Sequence, residues 1–106
     1  MSTVNPDIQR LIDSIAVTSG VGTYTLPVGM ANKVLQIIVI PPSESYSYRV
    51  YISESLDNIT LWGRDDEITG TYNELFTTAF PIFGNTTFHI TNASADGTYK
   101  VRIVYE

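Results

Sequence analysis

The stretch GTYKVRIVYE, residues 97–106, constrains the fold more than any other part of the chain. Tyr99, Val101, Ile103 and Tyr105 alternate with Lys100, Arg102, Val104 and Glu106. Period two is the mark of a strand with one face in a core and the other in water. SYRVYIS repeats it, with Tyr48, Val50 and Ile52 opposed to Arg49, Tyr51 and Ser53. TTFHIT does so again, with Phe88 and Ile90 inward and Thr87, His89 and Thr91 outward. GTYTLPVG directs Tyr24 and Leu26 inward before Pro27 and Gly29 break the run, and NITLWG sets Ile59 and Leu61 against Thr60 and Trp62. Between these runs lie PPSES, SLDN, FGN and NASADG, rich in residues that preset or tolerate turn dihedrals. Seven or eight short strands, spaced by about 8–15 residues, predict an all-β antiparallel sandwich or jelly roll.

VLQIIVIPP, residues 34–42, departs from the alternation. Leu35, Ile37 and Val39 fill one face, and Val34, Ile38 and Ile40 fill most of the other, interrupted by Gln36. A central strand whose outer face is covered accounts for this. The expected cover is either an N-terminal helix or another subunit, since burying each such side chain is worth about 1.5–3 kcal/mol. A second apolar region, TYNELFTTAFPIFGN, carries Phe76, Phe80 and Phe83 with Glu74 as its sole charge. Pro81 cannot donate to a ladder and argues against a central strand there. The region reads either as an edge strand or core-filling connection, or as an apolar contact surface.

At the start, Asn5 suits a helix cap, Pro6 the first helical position and Asp7 the positive end of the helix dipole. Ile8, Leu11, Ile12 and Ile15 then share a helical stripe. The spacing predicts an N-terminal helix or arm over 1–18, with the sandwich domain over 19–106; DSIAVTSG also fits the start of a strand.

Composition excludes several kinds of chemistry. The chain has no cysteine, so neither disulfides nor thiolate metal sites are available. Eleven acids stand against six bases, and the bases are scattered along the sequence without a run; nucleic-acid binding is not expected, because it needs a concentrated positive footprint. No segment reads as a signal peptide or as an apolar helix of about 20 residues, so no membrane partner is expected. His89 is the single histidine and lies on a polar strand face without a Gly-x-Ser-x-Gly elbow. The acids of RDDE, residues 64–67, read as a solvated loop rather than a calcium site or a carboxylate pair for sugar hydrolysis. Sequons occur at Asn58, Asn85 and Asn92 and read as chance in a chain with no secretory signal. No cofactor and no catalytic residue is expected.

The segments VNPDIQRLIDS, GTYTLPVGMANKV, VLQIIVIPP and GTYKVRIVYE together resemble the small accessory proteins of tailed-bacteriophage virions, such as head decoration (cement) proteins. The resemblance implies a non-enzymatic structural protein, made in the host cytoplasm and carried in the virion. Such a protein stabilises a capsid by binding major capsid protein, and it forms homo-oligomers, trimers more readily than dimers. Partner docking would then fall to Val34, Ile38, Ile40, Phe76, Phe80 and Phe83, and anchoring to Ile8, Leu11, Ile12 and Ile15. The alternative is a carbohydrate- or receptor-binding sandwich of a phage tail or fibre, using an exposed aromatic such as Trp62. A second rival reading is a small hydrolase using the acids Asp65, Asp66 and Glu67.

Overall fold

The computed structural model describes residues 9–26, 32–54, 57–82 and 85–106, with side chains described in these ranges except at 9, 32 and 79–82. Nine strands follow in order: β1 (Gln9–Val17), β2 (Gly22–Leu26), β3 (Asn32–Ile40), β4 (Ser47–Glu54), β5 (Ile59–Gly63), β6 (Ile68–Thr69), β7 (Tyr72–Ile82), β8 (Thr86–Thr91) and β9 (Gly97–Tyr105). They form two antiparallel sheets, β1-β9-β3-β7 and β2-β8-β4-β5, with the two-residue β6 pairing to β4. The pairing is nested: β4 with β5, β3 with β7, β2 with β8 and β1 with β9. The chain is thus one long hairpin, folded back near Asn58 and rolled so that successive strands mostly change sheets. That is jelly-roll order.

The core lies between the sheets and follows the alternation. Tyr48, Val50 and Ile52 of β4, Phe88 and Ile90 of β8, and Tyr99, Val101 and Ile103 of β9 are all buried. Tyr48 and Tyr99 meet edge to face across the sheets, ring centroids 5.6 Å apart. Their hydroxyls stay satisfied by donating to the Gly70 and Ala95 carbonyls, each at 2.7 Å. Tyr24 and Tyr105, also expected inward, pack against this core while half-buried.

The expected helix is overturned. From Gln9 the segment is β1, paired with β9 in unbroken register from Gln9 opposite Tyr105 to Val17 opposite Gly97. The same residues that fit a helical stripe also fit period two: Ile15 and Val17 are buried, while Ile12, Ser14 and Ala16 face solvent. A short isolated helix is marginal in water, whereas β9 offers nine partners and the core a slot for Ile15. The segment is therefore part of the sandwich rather than a separate arm from Gln9 onward. Asn5, Pro6, Asp7 and Ile8 lie outside the described residues.

YNELFTTAFPI is the edge strand β7, and Pro81 sits opposite Lys33 at that edge, where a missing N–H is tolerated. Turns use left-handed residues where the chain reverses. Asn58, Asn85 and Asn92, the three sequon asparagines, have φ of 60, 66 and 52°. Asparagine is among the few residues that adopt this region readily, which gives those positions a local backbone reason.

Two carboxylates tie loops together. Asp96 accepts from the Gly20 and Ser19 N–H groups, each at 3.0 Å, joining the β8–β9 and β1–β2 turns. Glu44 accepts from the Thr71 N–H at 3.0 Å and its hydroxyl at 2.7 Å. These donors hold both carboxyls below the usual carboxylate range. The unfolded chain then binds the protons first, so the stabilisation is complete above pH ~5 and is lost as pH falls through the depressed folded values. In thermal melts, the stability gap between wild type and Asp96→Asn should be constant above about pH 5 and close below pH ~4.

Candidate docking surface

The outer face of the β1-β9-β3-β7 sheet is built by register. One row runs Ile12, Arg102, Ile38, Asn73, and the next Arg10, Val104, Gln36, Leu75. A third places Ser14 beside Lys100 and Lys100 beside Ile40. Ile12 is 64%, Ile40 42% and Leu75 72% exposed, while Ile38 is half-buried. Ile12, Ile38 and Ile40, with Lys100, Val101 and Arg102, line a shallow concavity of about 180 Å³. Pockets that enclose small-molecule ligands run from about 300 Å³ upward. This hollow suits one or two inserted side chains.

Val34 is a correction. It was expected outside with Ile38 and Ile40, yet it is fully buried with Ile37 and Val39. The ladder shifts register between Val34 and Gln36: against β9 Leu35 is an extra, bulged residue that reverses the phase before it, while against β7 the extra residues lie on β7. Among the described residues no helix covers the outer face.

The phenylalanine-rich stretch divides. Phe76 points between the sheets, edge-on to Trp62 with centroids 5.6 Å apart, so it closes one side of the core rather than docking a partner. The Phe80 side chain and all of Phe83 lie outside the described residues. Of the expected anchors among the described residues, Ile15 is core, Leu11 is half-buried against the core, and Ile12 belongs to the exposed face; Ile8 lies outside the described residues.

Charge on this face is the feature sequence reading missed. Arg10, Lys33, Lys100 and Arg102 are exposed here. They are four of the chain's six bases, brought together from three strands. Glu106, whose backbone pairs with Lys33, is the one acid on the face among the described residues. The cations are dispersed in sequence and adjacent only through the β1·β9·β3 pairing, so no run announces them. The alternate positions in KVR were the available signal.

The other candidates resolve into structure. Trp62 is half-buried against Tyr72 and Phe76, because a bulge at Leu61 turns it inward opposite Ile52. That is a poor platform for a sugar ring. Arg64 lies over the Tyr72 ring at 5.7 Å and bridges Asp66 at 3.0 Å and Glu74 at 3.4 Å, while the Tyr72 hydroxyl donates to Glu74. Burial and the Glu74 carboxylate push the Tyr72 phenol well above its ordinary value, so it stays a donor. Asp65, Asp66 and Glu67 are exposed on the β5–β6 loop.

His89 stacks on Tyr51 with centroids 4.1 Å apart and shares a 2.8 Å hydrogen bond between Nε2 and the Ser53 hydroxyl. Ser53 is only 2% exposed, and burial lowers the His89 pKa. A serine so enclosed cannot meet a substrate, so the pair satisfies polar groups under the second sheet's outer face. Among the described residues no group of three or more His, Cys, Asp or Glu is placed to hold a metal ion.

Compared with known proteins, the chain matches no family model, no curated relative and no solved structure.

Proposed function

We propose that the protein is a non-enzymatic structural component of a tailed-phage virion that decorates and stabilises the capsid, binding major capsid protein and associating with copies of itself. The observation that carries this reading is the outer face of the β1-β9-β3-β7 sheet. There Ile12, Ile38 and Ile40 surround a hollow that no described element fills. Exposed apolar surface grouped around a concavity and rimmed by charge is the signature of protein contact. The jelly roll supports the reading weakly, since viral capsid and lectin domains share it and fold alone does not decide function. The resemblance of VNPDIQRLIDS, VLQIIVIPP and GTYKVRIVYE to virion accessory proteins supports it from another direction. On a lattice, many identical contacts of modest strength add through avidity when one oligomer engages several sites.

Particles lacking the protein provide the test. Wild type should sediment with them, and Ile38→Asp should weaken attachment by about tenfold or more, the effect of losing one central apolar contact. The same variant should keep its melting temperature within a few degrees, because Ile38 faces outward. Normal attachment of a folded Ile38→Asp protein would remove this face from the function.

A further inference from the structure

The cations of this face, of which Lys100 and Arg102 line the hollow, specify what can meet it. Four bases and one acid occupy this face, while among the other described residues two bases, Arg49 and Arg64, stand against nine acids. A chain of net charge −5 is thereby divided into a cationic, apolar-floored face and an acidic remainder. Two copies meeting face to face would set four cations against four, and such like-charge juxtaposition opposes association. A symmetric dimer through this face is disfavoured.

The acidic remainder has a concentrated part. Asp65, Asp66 and Glu67 are exposed on the β5–β6 loop, and Glu44 is exposed on the β3–β4 loop. Glu44 is held beside the strand that follows, through its two hydrogen bonds to Thr71. Arg64, the base in this loop, is already engaged by Asp66 and Glu74.

We propose that the outer face of the β1-β9-β3-β7 sheet receives the acidic β5–β6 loop end of a neighbouring copy, so that copies associate head to tail. Such heterologous contacts use two different patches and close into rings when the rotation permits. A ring of three is one such closed product, whereas a face-to-face contact gives a dimer. The inference rests on the reading of this face as a docking surface and adds the identity and charge of its occupant.

The test uses the protein alone, by sedimentation velocity at about 0.01 M and 1 M salt, where the screening length changes from roughly 30 to 3 Å. Wild type should associate at low salt and dissociate at high salt. Lys100→Glu with Arg102→Glu, and separately Asp65→Lys with Glu67→Lys, should each raise the association midpoint by about tenfold or more. All four positions are exposed, so melting curves should match wild type; should the first pair fail to fold, Arg10→Glu with Lys33→Glu makes the same reversal.

An equimolar mixture of the two variants should recover mass above monomer, because each restores the complementary charge to the other. A wild type that stays monomeric at low salt, or a mixture that stays as dissociated as its components, overturns the proposal. So does saturable binding of an oligonucleotide to this face by a monomeric wild type. If Ile38→Asp lowers particle attachment while the charge reversals change no self-association, the docking reading stands and the head-to-tail occupant falls.

Discussion

Replacing Phe88 with alanine should cost about 3–5 kcal/mol, the range for a fully enclosed phenylalanine. Phe88 is 0% exposed, opposite Tyr24 on one side and Ile52 on the other. β8 is hydrogen-bonded along both edges, to β2 and β4, so its backbone has little freedom to collapse onto the cavity. Domains of about this size are stable by only ~5–15 kcal/mol, and the loss is a large part of the total. Urea unfolding should show a lower midpoint with an unchanged slope, the sign of a stability change without a change in exposed surface. An unchanged midpoint would mean that the region between β2 and β4 repacks freely, contrary to the enclosure of Phe88.

The second large effect is expected at Gly22, where a methyl group has no room. A Cβ there would lie 2.6 Å from Ile15 Cγ2 and 2.9 Å from the Ala16 carbonyl oxygen. The side chain can turn away, but the backbone oxygen cannot move without shifting β1. Overpacking of this kind costs about 1–3 kcal/mol, which in a domain near 100 residues lowers the melting temperature by roughly 4–8 °C per kcal/mol. Gly22→Ala should therefore melt well below wild type. Ile12→Ala, on the exposed side of β1, should stay within about 0.5 kcal/mol. Equal melting temperatures for all three proteins would contradict the close approach of β1 and β2.

The residues that were easy to place and those that were not differ for physical reasons. Tyr48, Val50, Ile52, Phe88, Ile90, Tyr99, Val101 and Ile103 were legible because each sits in an uninterrupted run where period two fixes its face. A single extra residue defeats that logic. Leu35 shifts Val34 from the outer face to the core, and Leu61 sends Trp62 inward, and neither bulge leaves a mark in the local sequence. β1 is ambiguous in sequence because Leu11 and Ile15 fit both periods, and the deciding partner, β9, is far away along the chain. Here long-range pairing overrode a local preference.

Within the candidate site, Ile38 and Ile40 were identified from their own run. Ile12 was named for an anchoring helix and reached the same surface by another route. The cations were invisible because proximity in the sheet has no counterpart in the sequence: Arg10 lies on the strand beside Arg102, opposite Val104, the next outward-facing residue of β9.

The nesting of the pairs has a consequence for when the surface comes into being. Closing a loop costs entropy that rises with its length, so the β4–β5 turn is the cheapest place to begin and the β1–β9 match the dearest. Ile12 stands on the first of those outer strands and Lys100 and Arg102 on the second, with Ile38 and Ile40 beyond them. An incompletely zipped molecule cannot present the patch, so under the proposed docking role only a chain that has reached its native arrangement would offer the face to a partner.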